Sequence, residues 1–301
     1  MYEAYWQLER RPFENNSDAR WYYPSESHQG AMLKLRYAVE NRSSAALLSG
    51  PSGTGKTLLV QQLKRHLGKQ FRPLVHLVFP QMPAEELLCY LADELTAESA
   101  AIGPSAVQSP QAKATSPIAK TLEAPLDSIA SSRSIEITVR RIQTFLARNI
   151  ALDQHAVVAI DEAHLLDESR TWEALRLLLN FEANSRPAFT LLLVGQPGLL
   201  PQIDRMPAME ERLGVKCLLR PLNVDETAAY VNFRLTAAGA KHPIFDPAGI
   251  ETLHALSHGR ARLINRLCNL ALLVGFAEDR KMIGAEQFEA VADELVTVTP
   301  E

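Results

Sequence analysis

Apolar residues recur along this chain in two rhythms. Short unbroken runs occur at Ala45–Ser49, Leu74–Phe79, Val157–Ile160, Phe189–Val194 and Val215–Leu219. An apolar run of four to eight residues suits a strand buried on both faces. Between the runs lie segments with apolar positions three or four apart. Ser27–Glu40 carries Ala31, Leu35 and Ala38 or Val39, and the next segment carries Leu59, Leu63 and Leu67 and is stopped by Gly68. Further helices are predicted from about Ala84 to Leu95, over Ile135–Asn149, and from about Ser169 to Asn184, the last with Trp172, Leu175, Leu178 and Leu179. Strands alternating with helices imply a parallel sheet covered on both faces. After Pro221 the strands stop, and Asp225–Ala238, Ala248–Ser257, Ala261–Phe276 and Ala285–Val296 all read as helices. The expected organisation is an α/β core over 27–221 and a small helical domain over 222–297, with no long linker between them.

Two segments break the pattern. Residues 1–26 are irregular and aromatic, with Tyr2, Tyr5, Trp6, Phe13, Trp21, Tyr22 and Tyr23 close together, and read as an arm packed on the domain. Residues 97–133 show no periodicity, and twenty of the 37 are Ala, Ser or Pro, which marks a flexible insertion.

Composition narrows the classes. Apolar residues are 47% of the 301, enough for a well-buried core. With 35 acidic and 31 basic residues the net charge is −4, unlike a strongly basic nucleic-acid coat. Cys89, Cys217 and Cys268 are far apart, so neither a disulfide framework nor a zinc site is expected. The N-terminus lacks the basic-then-apolar pattern of a signal peptide. No apolar stretch approaches the ~20 residues of a membrane span. The expectation is a cytoplasmic protein without an integral membrane segment.

The chemistry sits at the strand ends. Gly50-Pro51-Ser52-Gly53-Thr54-Gly55-Lys56-Thr57 fits G-x-x-x-x-G-K-[S/T] in full, after a strand and before a helix. Such a loop cradles phosphates with backbone N–H groups at a helix N-terminus. Lys56 would reach the β- and γ-phosphates, and Thr57 would offer its hydroxyl to Mg2+. Val157–Ile160 ends in Asp161-Glu162, where open α/β sheets bind ligands. Asp161 would hold the magnesium shell, and Glu162 would act as general base on the attacking water. His164, next but one, reads as a helix-start or surface residue. Gln196, just past a buried strand, could touch the γ-phosphate or the attacking water, or be a turn residue before Pro197. Arg212 precedes the last strand, and Arg260 and Arg262 open a helix of the second domain. An arginine at a γ-phosphate stabilises transition-state charge, whereas most exposed arginines are simply solvated.

These residues resemble the AAA+ P-loop ATPases, and most closely the GspA/ExeA-type secretion ATPase branch. The resemblance rests on Tyr5-Trp6-Gln7-Leu8, Arg11-Pro12-Phe13, Tyr22-Tyr23 before Ser27-His28, Leu193-Val194-Gly195-Gln196-Pro197, Arg220-Pro221-Leu222, and Gly259-Arg260-Ala261-Arg262 running into Leu263-Ile264-Asn265-Arg266-Leu267-Cys268. It covers 1–96 and 134–297. It implies a three-layer αβα core with strand order 5-1-4-3-2 and a helical lid over the nucleotide, with ATP favoured over GTP. It also implies Arg212 as a finger acting across a subunit interface, Arg262 as the lid sensor, and therefore a homo-oligomer. Secretion ATPases of this kind often continue into a membrane helix and a peptidoglycan-binding domain, and the 301 residues contain neither.

Three functions fit. One is an ATPase motor or switch that works on a protein partner in secretion or envelope assembly. A second is an ATP-dependent DNA-binding regulator like the transposition ATPases of the MuB, TniB and TnsC kind. Its support is the basic set Lys64, Arg65, Lys69, Arg260, Arg262 and Arg266, which lacks interleaved aromatics. A third is a non-catalytic module with structural nucleotide, against which the intact Lys56, Thr57, Asp161 and Glu162 argue.

Overall fold

Five parallel strands form the central sheet: β1 (Ala45–Ser49), β2 (Leu74–Leu77), β3 (Ala156–Ile160), β4 (Phe189–Gly195) and β5 (Leu213–Leu218). The computed structural model describes residues 1–15, 19–100, 135–166, 169–183 and 185–297. The strand order is β2-β3-β4-β1-β5, which is the expected 5-1-4-3-2 read from the other edge. Strands β1, β3 and β4 are buried along their whole length, hence their unbroken apolar runs. Edge strand β5 instead exposes Gly214, Lys216 and Leu218.

Successive strand residues face opposite sides of the sheet. Leu47, Val158, Ile160, Leu191 and Leu193 pack beneath α3 (Ala84–Ala100), α4 (Ile135–Ala151) and α5 (Ser169–Leu178). Leu48, Val157, Ala159, Leu192 and Val194 pack beneath α1 (Glu26–Glu40) and α2 (Lys56–His66). These are the three layers of the core.

Several boundaries differ from the sequence pattern. Helix α3 continues to Ala100, into the first residues assigned to the insertion. The rest of that segment lies outside the described residues. Helix α5 ends at Leu178, short of Asn184, and just beyond it the Arg212 guanidinium donates to the Leu179 carbonyl at 3.1 Å and to the Asn180 side chain. The residues beyond form a small antiparallel ribbon, Glu182–Ala183 against Arg186–Pro187. Two short helices, α6 (Leu199–Asp204) and α7 (Pro207–Glu210), were not legible in the sequence, being too short to show a period.

The C-terminal region holds α8 (Val224–Ala237), α9 (Pro247–Ser257), α10 (Ala261–Ala277) and α11 (Ala285–Thr297). A capping box between Asn223 and Glu226 starts α8, and Asp246 with Pro247 starts α9. The aromatic arm packs on these helices rather than on the sheet. Tyr2, Trp6, Leu8, Phe13 and Trp21 join one buried cluster with Leu235, Leu267, Leu272 and Phe288. Trp6 Nε1 donates to the Leu272 carbonyl at 3.0 Å, Tyr2 Oη to Asn269 at 2.6 Å, and Tyr5 Oη to the Arg280 carbonyl at 2.7 Å. The first residues of the chain thus complete the core of the last helices.

Trp6→Ala should empty a large volume in that cluster and remove the indole hydrogen bond to the Leu272 carbonyl. We expect a loss of about 3–5 kcal/mol from the lid's stability, read by urea denaturation. A loss under about 1 kcal/mol would show that the arm is not part of the lid's core.

Candidate functional site

The glycine-rich loop runs from the end of β1 into α2. Strand β1 lies between β4 and β5, and β4 pairs with β3, so the loop and Asp161-Glu162 emerge at one edge of the sheet. Gly55 caps α2 in the left-handed conformation at φ 88°. The unpaired N–H groups of the first helical turn therefore face the loop's interior.

The lid presses on this loop from above. Gly259 sits at φ 68°, where a Cβ would come within 1.9 Å of the Leu222 carbonyl oxygen. Only glycine permits that turn. It brings the start of α10 onto the loop, and Arg262 N donates to the Gly53 carbonyl at 3.2 Å. Loop, arm and lid enclose a cleft of about 260 Å³ lined by Lys56, Thr57, Glu162, Tyr22, Tyr23 and Arg262 among others.

Lys56 is only 6% exposed. Its Nζ donates to the carbonyls of Gly50 at 2.9 Å and Pro51 at 3.0 Å. Burial lowers its pKa, the carboxylates of Glu162 and Asp161 oppose that shift, and Arg262 adds to it. The Thr57 hydroxyl donates to Asp161 Oδ2 at 2.6 Å. Asp161 Oδ1 accepts from the Glu162 N–H at 2.9 Å, and His76 Nε2 on β2 approaches Oδ2 at 3.4 Å. Burial pushes the Asp161 carboxyl up, but the His76 ring, the Thr57 hydroxyl and the Glu162 N–H together hold it below its ordinary value. A hydroxyl and an ionised carboxylate in contact are the hard oxygen donors that magnesium takes, so the residues fit that ion.

Glu162 has left-handed backbone at φ 50°. Its carboxylate reaches the cleft, yet Oε2 is buried without a hydrogen-bond partner. Of the two readings of His164, the helix-start one holds: it lies in a 3-10 turn over Ala163–Leu165, with its side chain half-buried at 17% exposure and facing Glu162. Gln196 follows β4 next to the loop, and its N–H donates to His164 Nδ1 at 3.4 Å. The Gln196 side chain does not line the cleft. Arg262 lines it and Arg260 does not. Arg212 lies away from this cleft, bound to the end of α5.

The sequence pattern missed His28, Arg220 and Arg234, which also line the cleft. His28 bonds Ser25 Oγ at 2.6 Å; burial lowers its pKa, with the Thr54 backbone opposing. Arg220 joins α8 to α1 through Glu226 at 2.6 Å and Glu26 at 2.7 Å. Arg234 donates to the arm carbonyls of Pro12 and Glu14 and stacks over Trp21 at 4.7 Å. Its signal was a charged residue on the apolar face of α8.

The AAA domain family matches residues 39–203, more than half of the chain. The chain belongs to the AAA domain family. It is 31% identical over 281 residues to the General secretion pathway protein A of Aeromonas hydrophila. The match covers 92% of this chain and 45% of that protein, so the chain spans less than half of its relative's length. Among solved structures, Drosophila ORC bound to DNA superposes with a TM-score of 0.67 at 14% identity, covering 97% of this chain and 66% of that one. The Thermotoga maritima RuvB Holliday junction branch migration motor gives 0.55 at 17% identity, covering 90% and 69%. At these identities the two structures establish the shared fold.

Lys56→Ala removes the one buried ammonium of the loop. We expect nucleotide affinity to fall by at least tenfold, about 1.4 kcal/mol, in a fluorescent-ATP titration. Unchanged affinity would mean that phosphates do not bind at this loop.

Proposed function

We propose that this AAA+ protein binds ATP with Mg2+ in the cleft between loop, arm and lid and hydrolyses it to ADP and phosphate. The observation that carries the reading is the 2.6 Å contact between Thr57 and Asp161, with Lys56 and Glu162 opening into the same cleft. The N–H groups of Gly53, Gly55, Lys56 and Thr57 hold the phosphates, and Lys56 exchanges its loop carbonyls for phosphate oxygens. Ser52 and Thr54 shape the loop, the latter through its 2.8 Å bond to the Pro51 carbonyl. Thr57 and Asp161 would hold magnesium, which would supply positive charge to the phosphates. Glu162 takes the proton of the attacking water. Arg262 reaches the phosphates from the lid.

Arg212 serves a neighbouring subunit. It stands outside its own chain's cleft and only part of its donor set is spent on Leu179 and Asn180. The site is then complete only in a homo-oligomer, and lid movement does work on an as yet unidentified protein partner. Likeness to General secretion pathway protein A points that work toward secretion or envelope assembly. Among the described residues no helix is long and apolar enough to cross a membrane, which suits a cytoplasmic protein held at the inner membrane through its partner.

A DNA-binding regulator is the second reading. Its support is the likeness to Drosophila ORC bound to DNA and the exposure of Arg262 and Arg266 on one face of α10. An ATP-dependent gel shift that weakens with salt would favour it. No shift at low salt would dismiss it.

Glu162→Gln should lower kcat by about 10²–10⁴ while ATP affinity persists. Lys56→Ala and Arg212→Ala should each be inactive alone, yet regain turnover when mixed, because one mixed interface joins an intact cleft to an intact arginine. Turnover strictly linear in protein concentration, with no recovery on mixing, would reject the shared site.

A further inference from the structure

Outside the nucleotide cleft, α10 shows one face that its neighbours leave uncovered. Arg262, Arg266, Asn269 and Leu273 lie within a narrow arc of the helix at its 3.6-residue period. Among the described residues no carboxylate pairs with the guanidinium of Arg262 or of Arg266. Asn269 accepts from the Tyr2 hydroxyl through its carbonyl oxygen at 2.6 Å, which leaves its amide group as a donor. Leu273 is 43% exposed.

This face forms one wall of a groove of about 560 Å³. The arm forms the other wall with Arg11, Phe13, Glu14 and Asn15, and Arg11 is also held by Glu3 at 2.8 Å. Leu270 and Leu295 line the groove as well, and Leu270 lies one turn beyond Arg266, so a charged end passes into an apolar one. Three arginines against one glutamate make the groove cationic in a chain of net charge −4. That contrast favours an anionic partner. The leucines favour one that also brings an apolar side chain. Phe13 is buried at 2% exposure, so the groove offers no aromatic face to a nucleic-acid base.

The groove and the nucleotide cleft share a wall. Glu14, Asn15, Arg262 and Asn265 line both, and Asn265 Nδ2 donates to Asn15 Oδ1 at 2.8 Å. Arg262 therefore has one guanidinium to offer to two sides.

We propose that this groove docks an acidic segment of the protein partner, with carboxylates one helical turn apart followed by an apolar residue. The carboxylates pair with Arg262 and Arg266, about 6 Å apart along α10. The apolar residue lies against Leu270 and Leu295. Pairing draws Arg262 away from the cleft, so partner and ATP each weaken the binding of the other by the same factor. This deepens the reading of an ATPase that works on a protein partner, and rests on it.

The experiment titrates the full chain with a fluorescent helical peptide carrying glutamates one turn apart and a leucine, with its glutamine counterpart, and with a short duplex DNA. We expect the glutamate peptide to bind at least about tenfold more tightly than the glutamine peptide. Arg266→Glu should weaken it at least about tenfold, Arg266→Lys should keep most of the affinity, and Leu273→Ser should cost about threefold. Saturating peptide should weaken fluorescent-ATP binding at least about threefold. Equal binding of the two peptides, or an affinity indifferent to Arg266→Glu, overturns the site. Arg266-dependent binding of the DNA but not of the glutamate peptide overturns it in favour of nucleic acid. Arg266-dependent self-association without peptide binding overturns it in favour of a second copy of the chain. Peptide binding with unchanged ATP affinity overturns the sharing of Arg262. If ATP binds and the peptide does not, the groove alone is rejected; if the peptide binds and ATP does not, the nucleotide reading is rejected and the linkage with it.

Discussion

A buried ammonium must be surrounded by oxygen, and the placement of Lys56 meets that demand. The side chain is folded against two carbonyls of its own loop and faces two carboxylates at the end of β3. Removing such a charge from water costs several kcal/mol unless it is compensated. The compensation depends on β1 lying beside β4 and β4 beside β3, because that order brings Gly50 and Asp161 to the same edge. The loop carbonyls are replaceable, and the phosphates of a nucleotide offer stronger acceptors in the same place. The core can therefore be read as a scaffold that keeps one cation desolvated and ready for an anion.

The far wall of the cleft is built from the two ends of the described chain. Residues 1–15 and 19–23 are fastened to the lid by the Trp6, Tyr2 and Arg234 hydrogen bonds, and only then does the chain pass to α1. Among the described residues, the links that join this body to the core beside the cleft include Arg262 N to the Gly53 carbonyl, Arg220 to Glu226 and Glu26, and the Glu26 N–H to Glu226 at 3.4 Å. Exposed ion pairs such as those of Arg220 are worth little singly. Such sparse, polar attachments allow a lid to shift when the contents of the cleft change.

Much of this was legible from residue patterns. The buried strands β1, β3 and β4 announced themselves as apolar runs, and the loop motif carried its own strand and helix context. The resemblance, rather than periodicity, supplied the strand order. What escaped were features that depend on distant contacts. The end of α5 is capped by Arg212, more than thirty residues on, which donates to the Leu179 carbonyl just past it. The arm read as packing, and its aromatics gave no sign that they complete the lid or that Tyr22 and Tyr23 face the cleft. His164 read as a helix-start or surface residue, and its position between Glu162 and Gln196 could not be seen because these meet only once β3 and β4 pair.

Hydrogen exchange with and without Mg2+ and a slowly hydrolysed ATP analogue tests the joint closure of loop, arm and lid most directly. We expect new protection at Gly50–Thr57, at Trp21–Tyr23 of the arm and at the start of α10, appearing together and at the same nucleotide concentration. Protection confined to the loop, with arm and lid unchanged, would contradict a cleft in which all three hold the nucleotide.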